Sequence, residues 1–336
     1  MKYCSLFFLF TFFSLTAEET LLDSSQYNLC DECCPLEIFA DFIYWSATEA
    51  GADTWAEVII EANGNSSNDI LGVDFGWDPG FKAGVGYQIN QGKYDVKAYY
   101  SWFHTVGKES ISSIPGAVHS TFLGNFYADN PLGIGISGPS YERAHISWAI
   151  NFNTFDWQIG CNYCVDNCFS LRPFMGLKGG WIDQTIQTKW INPDILGFTF
   201  TSQATERLEN NYWGIGPTIG IDTKWILFNL QSYLYLFGDF AASFMWGHWT
   251  FSDEFASNFS EQISIELENL NGGASVIQTF IGLGWDHKFC SSCFTVKVGY
   301  EAQFWLDQLQ FYSFTGGRLV NLLALQGGTI ELSFDF

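Results

Sequence analysis

The sequence predicts an all-β chain that closes into an antiparallel transmembrane β-barrel, and three observations favour this fold class. Apolar and polar residues alternate with a period of two along many segments, as in strands whose two faces meet different surroundings. Short turns and long polar stretches separate these segments alternately, an asymmetry that is typical of outer-membrane barrels. Only 15% of the 336 residues are charged, whereas 18% are aromatic, which is unusual for a soluble domain.

The N-terminal stretch MKYCSLFFLFTFFSLTA has the form of a secretory signal, with one lysine, an apolar run and a small residue at Ala17. We expect residues 1–17 to be a signal peptide, 18–35 a cysteine-rich periplasmic segment and 36–336 the barrel. A buried N-terminal helix is the alternative for the first segment. Beyond Ala17 no apolar run reaches the roughly 20 residues of a spanning helix, which leaves a secreted β-protein or an outer-membrane barrel.

The alternation identifies the strands in chain order. GFKAGVGYQI and YDVKAYYSWF, joined by a short NQG turn, predict a tight hairpin. The same pattern recurs in AHISWAINF, FDWQIGCNY, YWGIGPTIGIDTKW, VIQTFIGLGWDHKF and FTVKVGYEAQFW. The segment 141–163 changes phase near Asn153, which predicts either one long bulged strand or an additional short hairpin.

The positions of aromatic residues favour an arrangement in which the apolar faces meet lipid. A soluble sandwich would bury the apolar faces, but aromatic residues lie on those faces near the strand ends, as in the girdles of membrane barrels. These residues are Tyr44, Trp45, Trp102, Trp148, Trp157, Trp181, Trp246 and Trp285. We therefore predict that the apolar stripe faces hydrocarbon and that the polar stripe surrounds a water-filled lumen.

Connections and closure complete the predicted topology. Short periplasmic turns are expected at 90–93, 164–168, 226–229 and 289–293, and long outer loops at 48–70, 105–140, 183–211, 247–274 and 307–325. An open sheet edge in lipid would leave backbone groups unsatisfied, so the last strand, GGTIELSFDF, must pair with the first. The strand number is then even, with 10 or 12 preferred, and Phe336 is a predicted terminal signal for the barrel-assembly machinery.

Four sequence blocks resemble a known family. FADFIYW (39–45), FGWDPGFKAGVGY (75–87), LRPFMGLKGGWID (171–183) and YWGIGPTIG (212–220) are similar to the Legionella-type major outer membrane protein family, which includes barrels of chlamydia-like bacteria. The resemblance implies a β-barrel of the bacterial outer membrane with porin-like or adhesive roles. It transfers no catalytic residues.

Eight cysteines remain after the predicted signal: Cys30, Cys33, Cys34, Cys161, Cys164, Cys168, Cys290 and Cys293. The predicted topology places all three clusters on the periplasmic rim. An oxidising envelope favours structural or intermolecular disulfides, while zinc binding and thiol exchange stay open as alternatives. The pairing cannot be read from the spacing, and the resemblance to cysteine-rich chlamydial proteins implies cross-linking with other copies or other envelope proteins.

Charge and motifs narrow the function. A net charge of -22 disfavours nucleic-acid binding, and no spacing presents a nucleophile to a base, so neither an enzyme nor a cofactor or metal is expected. The predicted pore-lining residues are Lys82, Asp95, Lys97, Arg172, Lys178, Asp222, Lys224, Asp239, Asp286, Lys297 and Glu301. We predict a weakly cation-selective porin for small hydrophilic solutes. We also predict a structural role through disulfide cross-linking of the envelope. The alternative is a non-conducting adhesin or envelope scaffold.

Overall fold

The computed structural model describes residues 35–62, 65–90, 92–114, 117–120, 140–166, 168–192, 202–229, 232–257, 263–289, 292–313 and 317–336. The strands in these ranges are β1 (Leu36–Glu49), β2 (Ala56–Ala62), β3 (Asn65–Leu71), β4 (Asp78–Ile89), β5 (Tyr94–Ser112), β6 (Val118–Ser120), β7 (Ser140–Tyr141), β8 (Arg143–Cys161), β9 (Tyr163–Cys164), β10 (Phe169–Asn192), β11 (Ser202–Asn229), β12 (Ser232–Ser257), β13 (Ile263–Phe289), β14 (Ser292–Ser313) and β15 (Gly317–Asp335). Among the described residues, no helix has the length and apolar character needed to cross a membrane. The predicted signal peptide and N-terminal cysteine segment lie outside the described residues, apart from Pro35.

Ten strands form a closed antiparallel barrel. Around the wall their order is β1, β4, β5, β8, β10, β11, β12, β13, β14 and β15, and β15 pairs back onto β1. Beyond the last strand, Phe336 exchanges backbone hydrogen bonds of 2.9 and 3.2 Å with Leu36. The predicted closure by the final strand and the preferred even strand number are therefore confirmed.

A band of outward-facing apolar side chains marks the membrane-spanning part of the wall. Exposed residues on this band include Phe42, Val85, Phe155, Leu177, Ile219, Phe240, Ile281, Val298 and Ile330. On β11 the band runs from Trp213 to Trp225, which are both exposed and lie about 40 Å apart along the strand. With a strand tilt of about 40° the band is about 30 Å tall, which is close to the roughly 25 Å apolar band of an outer-membrane barrel with its flanking aromatic girdles.

The alternation reverses phase above this band. On β8, Phe155, Trp157 and Ile159 face outward, whereas Trp148 and Phe152, nearer the outer end, are fully buried. The strand is continuous, and its pairings with both neighbours show no register shift. Outside the membrane the outer wall meets water, so the apolar residues occupy the inward positions instead. Of the two options predicted for 141–163, the single strand is right, but it carries no bulge.

Three sequence predictions are corrected by this reversal. Trp45 and Trp148 were expected on the lipid face and instead lie inside the barrel with 0% exposure. The apolar residues of AHISWAINF likewise face inward. The stretches 105–112, 183–192, 202–211, 247–257, 263–274, 307–313 and 317–325, expected as outer loops, are strand. Long polar segments were mistaken for loops because a strand that extends into water carries a polar outer face. The segment 226–229, expected as a short turn, is also strand, because β11 continues to Asn229.

A small second sheet lies at the outer end. Its strand order is β3, β2, β6 and β7, and it follows a short 3-10 turn, Ala52–Thr54. The buried ring of Trp55 lies 5.6 Å from that of Trp190 on β10. Trp55 and Val118 belong to the same buried cluster as the barrel interior, so this sheet extends the barrel core at its outer end.

Candidate functional site

The interior of the membrane-spanning part is polar and contains two cavities. The larger, about 240 Å³, opens toward the periplasmic end and is lined by Tyr87, Lys288 and Asp335 near the rim. A second cavity of about 120 Å³ lies deeper and is lined by Asp41, Lys82 and Glu301. We call these two cavities together the vestibule. Every second side chain of each strand points inward, so charged side chains from many strands lie close together in this space.

The predicted pore-lining residues face this interior. All except Lys178 line one or both cavities, and Lys178 is fully buried on the same side of the wall. Four more acidic residues face the interior without having been predicted from the sequence: Glu37, Asp41, Asp156 and Glu331. Each alternates with outward apolar residues, so the inward parity that identified the others could have identified these as well.

Most of the interior charges are paired across the wall. The Arg172 guanidinium donates to the Asp95 carboxylate at 2.5 Å and to Asp222 at 2.6 Å. Further pairs are Lys97–Glu37 at 2.8 Å, Lys297–Glu331 at 3.0 Å, Lys178–Asp156 at 2.7 Å and Lys224–Asp286. Of the predicted pore-lining residues, Asp239 alone makes no ion pair with the described part of the chain. Paired charges cross-link neighbouring strands and leave little free charge to act on a passing ion.

Glu301 joins the vestibule to the layer above it. Its carboxylate accepts hydrogen bonds from Lys82 Nζ at 2.5 Å and from Thr329 Oγ1 at 3.0 Å. Thr329 in turn accepts the indole N–H of Trp45 at 3.1 Å. Lys82 Nζ lies 5.4 Å from the centre of the Trp45 ring, a distance that suits a cation–π contact. Gln303 Nε2 also donates to Glu301 at 3.2 Å, and the Trp305 indole donates to Gln303 Oε1 at 3.3 Å. The polar network is therefore joined to the buried tryptophans above it.

Above Glu301 the lumen is filled by an aromatic and aliphatic core, which we call the interior plug. Trp305 packs edge-on against Phe152 at 5.4 Å and Tyr212 at 6.5 Å, and Tyr212 lies 4.7 Å from Trp249. Members of this cluster come from every barrel strand except β4: Ile43, Phe103, Trp148, Ile182, Leu208, Met245, Val276, Trp305 and Leu323. Side chains from nearly the whole circumference thus meet at the centre. Alternation along a strand does not reveal the plug, because the period-two pattern predicts one environment for each face over the whole length of the strand.

Several polar groups inside the plug are hydrogen-bonded to one another, although the Tyr212 hydroxyl and Gln308 Nε2 are buried without a partner among the residues that the structure describes. The Trp148 indole donates to Gln184 Oε1 at 2.8 Å, and Gln184 Nε2 donates to Gln308 Oε1 at 2.8 Å. The Trp249 indole donates to the Gln308 carbonyl at 2.6 Å. Buried tryptophans generally need such an acceptor, and here the acceptors fix the rings across the lumen.

The described cysteines lie near the periplasmic rim, as the topology predicts. Cys161, Cys168 and Cys293 are free thiols, and Cys168 is exposed. Cys164 is disulfide-bonded. The predicted Cys30, Cys33, Cys34 and Cys290 lie outside the described residues. Within the described part of the chain, no group of three or more His, Cys, Asp or Glu residues could hold a metal ion.

Comparison with known proteins identifies the family. Residues 30–336 match the family of the Legionella pneumophila major outer membrane protein precursor. The chain belongs to this family. It is therefore a β-barrel protein of the bacterial outer membrane, and the resemblance noted in its sequence blocks is confirmed.

Solved structures that match the chain do so at low identity. The Escherichia coli outer membrane protease OmpT has a TM-score of 0.46 and 11% identity, over 90% of this chain and 97% of that chain. The P. putida toluene transporter TodX has a TM-score of 0.33 and 9% identity, over 90% of each chain. No curated protein matches the chain. At these identities neither chemistry nor substrate carries over from the solved structures.

Proposed function

We propose that this family member is a closed-lumen barrel that serves the outer membrane as a structural scaffold and presents its extended outer end to the surroundings. The observation that carries this proposal is the interior plug, to which nine of the ten barrel strands contribute buried residues. A barrel of about eight strands is already narrow enough for side chains to fill, and ten strands enclose only slightly more space. The scaffold alternative of the sequence analysis is therefore preferred to the open porin.

Single-channel recording tests the proposal. Protein whose folding is checked by heat-modifiable gel mobility is inserted into planar bilayers, and we expect no stable conductance steps from the wild type. Trp305→Ala, which removes a ring from the plug, should give intermittent openings. The matched control Trp246→Ala, which removes an outward-facing ring, should behave as the wild type. Stable steps from the wild type at the level of Trp305→Ala would contradict a closed lumen.

A diffusion porin is the second candidate, and the vestibule favours it. The cavities carry both signs of charge, and the larger one opens at the periplasmic end, as an ion path requires over part of its length. In this case the plug would have to move aside. The porin proposal expects stable wild-type steps with weak cation selectivity, because acidic residues are in excess. A reversal potential that favours anions in a salt gradient would contradict that selectivity.

Disulfide cross-linking of the envelope is a further part of the proposal. Cys168 offers an exposed free thiol on the periplasmic rim, where an oxidising compartment permits intermolecular bonds. We expect intact envelopes to give high-molecular-weight bands without reductant and monomer with it. Cys168→Ser should reduce those bands, whereas Cys161→Ser, at a less exposed position, should do so less. Identical monomer bands under both conditions would rule out cross-linking.

A further inference from the structure

A basic cluster lies on the outer wall of the barrel above the lipid-facing band. Lys108 on β5, His145 on β8 and Lys189 on β10 are all exposed. Each lies at the same parity as a lipid-facing residue of its own strand, such as Trp102 and Trp181. The three side chains therefore project from the outer surface and not into the lumen. We call them the outer-wall basic patch.

Strand register brings the three residues together. His145 lies directly opposite Lys189 across the β8–β10 pair. On its other side, His145 faces Ser110 on β5, so Lys108 occupies the diagonal position two residues away. Directly opposed Cβ atoms in antiparallel strands lie about 5 Å apart and diagonal ones about 7–8 Å. One anionic group can thus be reached by all three side chains.

The charge of the patch is not neutralised by its neighbours. Two flanking arginines are paired with carboxylates. Arg143, two residues from His145 on β8, pairs with Glu142 at 3.1 Å. Arg207, diagonal to Lys189 on β11, pairs with Glu209 at 2.5 Å. Lys108 and Lys189 make no ion pair with any residue that the structure describes. The chain has only 14 basic residues against 36 acidic ones, so two exposed lysines without ion pairs, separated by a single strand, form an unusual concentration of positive charge.

The height of the patch indicates what it can contact. Lys108 follows Trp102 by six residues and Lys189 follows Trp181 by eight. This separation is about 20–26 Å along the strands, or roughly 15–20 Å above the aromatic girdle after allowing for tilt. Acyl chains and the phosphates at the membrane interface lie below this level. The sugars that extend outward from an outer-leaflet lipopolysaccharide reach it.

We propose that the outer-wall basic patch binds the phosphate- or carboxylate-bearing core saccharide of outer-leaflet lipopolysaccharide. Basic clusters at the edge of a membrane protein recognise anionic headgroups through charge-assisted hydrogen bonds. A bound saccharide would tie the part of the barrel that extends above the bilayer to its surrounding leaflet. This inference rests on the outer-membrane location and is independent of whether the lumen conducts.

The test measures binding of purified, detergent-solubilised full-length protein to two ligands: lipopolysaccharide with an anionic core, and lipid A without core sugars. Each lysine near an anionic surface contributes about 1 kcal/mol, or about a 5-fold change in affinity. We therefore expect the double variant Lys108→Gln/Lys189→Gln to bind the core-bearing ligand about 25-fold more weakly. Its affinity for lipid A should stay within about twofold of the wild type.

Controls separate specific binding from general charge effects. Lys93→Gln removes an exposed lysine at the periplasmic end and should leave both affinities unchanged. Heat-modifiable mobility confirms that each variant is folded. A double variant that binds the core-bearing ligand like the wild type, or that loses lipid A affinity equally, would overturn the proposal.

Discussion

The buried Lys178–Asp156 ion pair provides a sharp test of whether the barrel interior is dry. The two residues face each other across β10 and β8, their charged atoms lie 2.7 Å apart, and their side chains are 0% and 1% exposed. At an effective dielectric constant of about 20, their attraction is about 6 kcal/mol. Much of this attraction offsets the cost of removing both charges from water.

Lys178→Met leaves the Asp156 carboxylate buried without its cation, which should lower the free energy of unfolding by about 3–5 kcal/mol. Asp156→Leu should cost a similar amount, because the ammonium is then left unpaired. The double variant should recover most of the loss, since well-packed apolar pairs often replace buried ion pairs at little cost. Urea unfolding in lipid vesicles, followed by tryptophan fluorescence, measures all three changes.

The exposed pair Arg207–Glu209 supplies the matched control. Its atoms lie 2.5 Å apart, but the side chains are 55% and 35% exposed, so Arg207→Met should cost less than about 1 kcal/mol. If Lys178→Met cost no more than Arg207→Met, the interior charges would have to be hydrated. That result would argue against the closed lumen and favour the porin.

Three further outcomes are expected. Trp148→Ala should lower the free energy of unfolding in lipid vesicles by about 3–5 kcal/mol. Trp157→Ala, on the lipid-facing part of the same strand, should lower it clearly less. Equal losses would refute the phase reversal. Ile219→Lys, midway across the apolar band, should lower the free energy of unfolding by about 2–4 kcal/mol. Thr205→Lys, above the membrane on the same strand, should lower it by at most about 1 kcal/mol. The reverse order would show that the membrane-spanning band lies elsewhere on the strand. Deletion of Phe336 should lower the assembled fraction on heat-modifiability gels, because the backbone hydrogen bonds to Leu36 are lost. The control variant Phe336→Tyr should assemble normally. Full assembly of the deletion variant would argue against a terminal assembly signal.

Local alternation was enough to predict much of the interior site. Lys82, Asp95 and Arg172 were selected by parity alone, and the structure directs them inward. Their partners were not predictable in the same way. The Lys82–Glu301 pair joins residues 219 positions apart, and only closure of the sheet brings those strands near each other.

The sequence by itself determined the alternating pattern of the strands and the membrane-facing band, because both depend on neighbouring residues along one strand. It also determined the closure by the final strand, because an open edge in lipid would leave backbone groups unsatisfied. Only the tertiary structure decided that the lumen is filled at its outer end. The reason is that Trp148 and Trp157 have similar local patterns, yet one lies above the bilayer and the other within it. Depth in the membrane, which reverses the favourable side for an apolar residue, is a property of the assembled barrel.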